Sequence, residues 1–276
     1  MKFIKLNNGL NMPIIGLGTY PLNRFKLIRA MYYAYKNSCI SFDTSSAYEN
    51  ERWLGIGIKI LKLLGAKDLF ITTKLSNHGQ RNGNIREELI KSMKRLNLKY
   101  IDLYLMHWPN PDTYLDSWKE MEKLYEEGLV GAIGVCNFHE HHLEKLLKIA
   151  KVKPVINQIE LHPLLTQISL REYCKKQEIQ IQSYSPVARM DKKLIENKIL
   201  VSIAKKYNKT VPQIILKWNI QSDIITIPKS GSKIRIKENF DIFDFELSTD
   251  ELEKINSLNE NYRVRYNPDT VDFTKV

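Results

Sequence analysis

The chain has 276 residues, 43% hydrophobic and 26% charged, which excludes a disordered or fibrous protein and is enough for a full core. Its formal charge of +11 is spread from end to end, with many basic residues beside acidic ones, as in Arg86-Glu87-Glu88. No basic arm, zinc-finger spacing or aromatic RNA-binding motif accompanies that charge, so a lysine-rich surface is expected and a nucleic-acid partner is not.

In chain order, residues 3–6 and 10–15 predict a β-hairpin around Asn7-Asn8-Gly9, with Asn-Gly supplying the positive φ angles of a tight turn. Strand and helix then alternate. Strands are predicted at residues 40–43, 69–74, 100–107, 130–135, 155–160, 179–184, 224–227 and 239–243. Between them, Leu27, Met31 and Ala34 share one helical face, as do Leu54, Ile58 and Leu61. Ile85, Leu89, Met93 and Leu96 form a third stripe, opened by Asn84 with Glu87 in a capping-box pattern. Gly128 predicts a helix stop, while Thr210-Val211-Pro212-Gln213 and Ser248-Thr249-Asp250-Glu251 predict helix starts.

Eight buried strands with intervening helices predict an α/β fold, a single (β/α)8 TIM barrel over residues 1–276 with the hairpin closing its bottom. A Rossmann-type fold is disfavoured, because no Gly-x-Gly-x-x-Gly follows the first strand; Gly16-Leu17-Gly18 leads out of the hairpin instead. Cys39, Cys136 and Cys174 are isolated, with neither disulfide nor metal spacing, and suit a reducing compartment. Residues 1–9 lack a signal-peptide stretch and no segment reaches transmembrane length, so a cytoplasmic protein without a membrane partner is expected.

Four polar residues fall where predicted strands give out: Asp43, Tyr48 in the loop after it, Lys74 and His107. On a parallel barrel they meet at the C-terminal edge, where such barrels carry their active sites. A cation about 4 Å from a phenol, at an effective dielectric near 20, favours phenolate by roughly 4 kcal/mol, or about three pKa units. Lys74 is therefore expected to bring Tyr48 close to neutrality, with Asp43 fixing the ammonium and His107 addressing a carbonyl oxygen. Two rival readings are a Schiff-base role for Lys74, which Asp43 opposes by keeping it protonated, and a non-catalytic protein, which has no need of a tuned tyrosine.

These residues carry a resemblance. Gly16-Leu17-Gly18-Thr19, Phe42-Asp43-Thr44-Ser45-Ser46-Ala47-Tyr48-Glu49-Asn50-Glu51, Thr73-Lys74-Leu75 and His107-Trp108-Pro109 resemble the aldo-keto reductase family. So do Gly134-Val135-Cys136-Asn137-Phe138, Asn157-Gln158, Tyr184-Ser185-Pro186, Ile227-Pro228-Lys229-Ser230 and Arg235-Ile236-Lys237-Glu238-Asn239. The resemblance runs from the hairpin to the tail and is nearest the short-tailed bacterial type. It implies the same barrel and NADPH-dependent reduction of a small-molecule carbonyl, with Tyr48 as proton donor, Lys74 and Asp43 tuning it and His107 orienting the carbonyl. It also implies a nicotinamide stacked on Tyr184, with its carboxamide at Asn137 and Gln158. Thr19, Ser185 and Val187 fall near ribose and pyrophosphate, and Glu238 and Asn239 near adenine. Tyr20 and Trp108, with His107, are implied as substrate walls. Lys229, Ser230 and Arg235 also read physically as a site for a dianionic phosphate, which in the family is the 2′-phosphate of NADPH.

Three positions depart from the family pattern. Cys136 replaces a common Ser, Ser76 a common Trp at the substrate pocket, and Ala188 a common Gly in the cofactor-covering loop. His139-Glu140-His141-His142 has the look of a metal motif, but its place before Leu143, Leu146 and Leu147 predicts a solvated first helical turn, and no metal is expected. The family resemblance favours a monomer.

Overall fold

The barrel is closed by glycine. In the computed structural model, which describes residues 2–275, β1 (Phe3–Lys5) and β2 (Asn11–Pro13) form the expected antiparallel hairpin. The parallel strands that follow are β3 (Leu17–Gly18), β4 (Ser41–Asp43), β5 (Phe70–Leu75), β6 (Leu103–Met106), β7 (Ile133–Cys136), β8 (Ile156–Glu160), β9 (Gln180–Tyr184) and β10 (Ile225–Thr226). They lie side by side in chain order, from β3 to β10. The seam between first and last is joined by Gly16 N–H to Thr226 O at 3.0 Å, Thr226 N–H to Ile14 O at 3.0 Å and Gly18 N–H to Pro228 O at 3.2 Å. A Cβ on Gly18 would stand 2.7 Å from the Ile227 carbonyl oxygen, so only glycine lets the two backbones meet.

Alternation along the strands sorts the side chains. Phe70, Leu103, Leu105, Cys136 and Ile156 fill the barrel interior, where Leu6 and Met12 of the hairpin join them as a floor. Asn7 and Asn8 fasten that floor by donating to the carbonyls of Pro154 and Gly131, at 3.0 and 3.1 Å, just ahead of β8 and β7. Ile71, Tyr104, Ile133 and Ile159 face outward, against helices that contribute Leu27, Met31, Leu54, Ile58, Leu89 and Met93. Lys74 therefore stands above Phe70 and Thr72 in one inward column, at the open end of the barrel.

The structure corrects the sequence reading in several places. Residues 239–243 are not a strand: the helix Lys233–Phe240 runs through their first half, with Ile236 and Phe240 buried one turn apart. The eighth strand is β3, too short to show any period. In the hairpin turn only Gly9 takes a positive φ, of 87°, with Gly9 N–H bonded to Leu6 O. The capping boxes Thr210–Gln213 and Ser248–Glu251 form, whereas Asn84 makes no side-chain cap. Among the described residues, no helix is long and apolar enough to cross a membrane.

Candidate active site

Strand register gathers the polar residues. Asp43 is the Cα partner of Thr72, and Lys74 of Leu105, so the ends of β4, β5 and β6 lie at one level. Lys74 is fully buried; its ammonium donates to Asp43 Oδ1 and, at 2.9 Å, to the Thr44 carbonyl. The other Asp43 oxygen accepts from Gln158 Nε2 at 2.7 Å, and the same amide donates to Gln182 Oε1 at 2.8 Å. A buried charge needs such pairing to be tolerated.

Tyr48 sits on a one-turn 3-10 helix, Ser46–Tyr48, which Ser45 caps by accepting the Ala47 N–H. Its ring centroid lies 5.0 Å from Lys74 Nζ and 5.6 Å from the His107 ring, in an edge-on contact. Tyr20 lies 5.0 Å from Tyr48, and Trp108 lies 6.5 Å from His107, all measured between ring centroids. The four residues expected to meet do meet.

The electrostatics overturn one expectation. Burial raises the Tyr48 phenol to about 12, and Lys74, by charge and hydrogen bond, offsets only part of that rise. Asp43, which holds Lys74 in place, pushes the phenol up as well. Tyr48 thus stays protonated rather than balanced near neutrality. For Lys74, burial works against the charge, but Asp43 and Tyr48 outweigh it and hold the ammonium above its ordinary range. A lysine so held opposes Schiff-base chemistry. Burial, then the charges of Lys74 and Arg265, keep His107 well below the ordinary histidine range, so the ring is neutral.

A cleft of about 660 Å³ opens on this group. Its walls include Thr19, Tyr20, Trp108, Asn137, Gln158, Tyr184, Ser185, Val187, Arg189 and Lys229. Tyr184 donates to Asn137 Oδ1 at 2.8 Å, and Asn137 donates to the His107 carbonyl at 3.0 Å, fixing the aromatic floor to the quartet. Thr19 is buried and donates from Oγ1 to the Asp43 carbonyl at 2.8 Å. Ser185, Ala188, Arg189 and Met190 all take positive φ, so this segment bends left-handed although Ala188 stands where the family commonly has Gly. At the far end, Ser230 Oγ accepts from Arg235 Nε at 3.5 Å. Burial, then Arg235 and Arg189, lower Lys229, the mark of a cation among cations. Glu238 is half-buried and Asn239 buried on the helix that carries Arg235.

Two departures also find their places. Ser76 caps the short helix Asn77–Arg81 by accepting the Gly79 N–H, outside the cleft lining. Cys136 is buried beside the quartet, and burial keeps its thiol protonated.

The family model described as "Aldo/keto reductase family" matches residues 14–260. The chain is 48% identical to the glyoxal reductase of Bacillus subtilis (strain 168), over 98% of this chain and 97% of that protein. The chain belongs to the aldo/keto reductase family. As a member it is an oxidoreductase that acts on carbonyl groups. Its fold matches the crystal structure of MGS-M4, an aldo-keto reductase from a Medee basin deep-sea metagenome library, with a TM-score of 0.91 and 40% identity over 98% of this chain and 99% of that one. The Bombyx mori aldo-keto reductase AKR2E4, solved in complex with NADP, gives 0.90 and 35% over 97% and 96%.

In this reductase, sequence reasoning missed Ser45, whose hydroxyl lies 3.2 Å from His107 Nδ1, although it stands inside the Asp43–Tyr48 motif. It also missed Gln182 and Arg189, for which no local pattern gave a signal. The histidine run opens the helix Glu140–Leu147 as expected, but only His141 of its four residues is exposed. His142 is buried and accepts the His139 N–H at Nδ1 (3.1 Å), while His139 bonds Asp269 at 2.8 Å and Arg263 at 2.9 Å. The ligand-type atoms of His141, His142 and Asp269 lie within 4.8 Å of one another. With Nδ1 of His142 accepting, its Nε2 keeps the proton, and the cluster as built ties the tail to helix Glu140–Leu147.

Proposed function

We propose that this reductase converts aldehydes or ketones to alcohols, with NADPH supplying hydride to the carbonyl carbon and Tyr48 supplying the proton to the oxygen. The reading is carried by one observation: a protonated phenol, touched by a buried cation and a neutral imidazole, opens on a single cleft. Tyr48 hands its proton to the carbonyl oxygen, and the phenolate left behind is stabilised by Lys74. Asp43 keeps Lys74 fixed and charged. His107 donates from Nε2 to the same oxygen and orients it, while Tyr20 and Trp108 wall the substrate.

The cleft fits the cofactor. Tyr184 offers a half-buried ring as a platform, and Gln158, which spends its amide nitrogen on Asp43 and Gln182, keeps Oε1 as an acceptor for a carboxamide. Asn137 adds a second amide beside it. Thr19, Ser185 and Val187 line the middle of the trough, and Lys229, Ser230 and Arg235 form the end that suits a 2′-phosphate. Glu238 and Asn239 flank an adenine there.

The bacterial glyoxal reductase supports small dicarbonyl aldehydes among the substrates. Purified protein given glyoxal or methylglyoxal with NADPH is the test: cofactor oxidation matched by alcohol formation is expected. No turnover with any aldehyde would contradict the reading.

A further inference from the structure

Outside the quartet, one wholly buried acid stands out. Glu160 ends β8 and has no exposed surface, yet the proton-transfer chemistry makes no use of it. Its carboxylate accepts the backbone N–H of Val264 at 2.6 Å and of Arg265 at 3.1 Å, and contacts His162 Nε2 at 3.1 Å. A buried carboxylate is costly, and here its acceptor capacity goes largely to the main chain of the C-terminal tail. That fixes where the Arg265 side chain begins.

Arg265 lines the same cleft as Tyr48, His107 and Trp108. No acidic side chain pairs with its guanidinium among the described residues; the Tyr266 ring, 5.2 Å from Cζ, lies beside it. Among the described residues the cleft is lined by one acidic side chain, Asp43, and Lys74 and Gln158 occupy both its oxygens. The other cations are accounted for. Lys229 and Arg189 act on one another at the phosphate end, and Lys275 is 3.2 Å from Asp272. Arg265 acts at the opposite end, where its charge reaches both His107 and Tyr184.

We propose that Arg265, held in place by Glu160, binds an anionic group on the substrate, so that carbonyl compounds bearing a carboxylate are preferred over neutral ones of the same skeleton. A planar guanidinium with five donors suits a carboxylate bidentately, and a site walled by Trp108 strengthens that pairing by excluding water. The inference deepens the reductase reading and rests on it.

The test compares kcat/KM for 4-carboxybenzaldehyde against benzaldehyde, and for succinic semialdehyde against butanal, in the wild type, Arg265→Gln and Arg265→Lys. The wild type should favour the charged member of each pair. In Arg265→Gln that preference ratio should fall by about 10- to 100-fold, mainly through KM, as expected for losing a charge-assisted hydrogen bond. Arg265→Lys, which keeps charge without the fork, should restore part of it. An unchanged ratio overturns the proposal. Calorimetric titration with 4-(hydroxymethyl)benzoate and benzyl alcohol gives a second readout that needs no turnover. Tighter binding of the anion by wild type, lost in Arg265→Gln, supports the site even if no aldehyde is reduced, in which case the reductase reading alone fails. Equal affinities for the two alcohols overturn the anion site.

Discussion

The Ser45 hydroxyl lies 3.2 Å from Nδ1 of His107, linking the loop after β4 to the end of β6. Ser45 Oγ already accepts the Ala47 N–H, so its own proton is free to go to the imidazole. A Ser45 proton so donated fixes the ring proton of a neutral His107 on Nε2, the tautomer that can donate to a carbonyl oxygen.

Replacing Ser45 with Ala removes this constraint. We expect kcat/KM to fall about tenfold, equivalent to ~1.4 kcal/mol and to one neutral hydrogen bond, with NADPH affinity unchanged. Nitrogen NMR of the histidine rings checks the cause: a single Nε2–H tautomer in the wild type, and a mixture in the variant. An unchanged tautomer with unchanged rate would remove Ser45 from the account.

Arg235→Ala should weaken NADPH by about 10- to 100-fold, the range for hydrogen bonds to a charged group. NADH lacks the 2′-phosphate and should be little affected. Dissociation constants from fluorescence titration with both cofactors decide it, and equal losses would displace the phosphate from Lys229 and Arg235.

Stability should fall on mild acidification, and His142 supplies part of the reason. Burial, then the neighbouring His141, push its folded-state pKa down to about 4. An unfolded histidine titrates near ~6.5, so between about 6.5 and 4 the unfolded chain binds a proton that the folded chain does not. The sign follows: stability drops as pH falls through that window, by up to ~1.4 kcal/mol per pH unit from this one group. In His142→Asn the amide oxygen still accepts the His139 N–H but cannot titrate. Urea unfolding at pH 7 and pH 5 should give a smaller loss for the variant than for the wild type.

Much of the barrel was legible because burial imposes a period. Seven of the strand runs are continuous or alternating apolar segments, and the stripes from Leu27, Leu54 and Ile85 face the barrel as their spacing requires. The eighth strand was not legible. Leu17–Gly18 is two residues long and is made by pairing with Phe42–Asp43 on one side and a backbone hydrogen bond to Pro228 on the other, while Phe240, read as strand, completes a helical face with Ile236. The quartet was legible because each member sits at or just beyond a strand end. Its acidity was not: the sequence names the charges around Tyr48, but desolvation, which depends on the assembled fold, outweighs them. The contact of Glu160 with the backbone of Arg265 escaped notice for the same kind of reason. The two residues lie 105 residues apart in the chain, and only the folded tail brings them together.

The central claim is that Tyr48 is the proton donor, and its direct test is steady-state turnover of Tyr48→Phe alongside its NADPH dissociation constant. The variant keeps the ring but loses the phenol, so kcat should drop by about 10²- to 10⁴-fold, the range for a positioned general acid, while cofactor binding is retained. A Tyr48→Phe enzyme that binds NADPH and turns over at the wild-type rate would contradict the account.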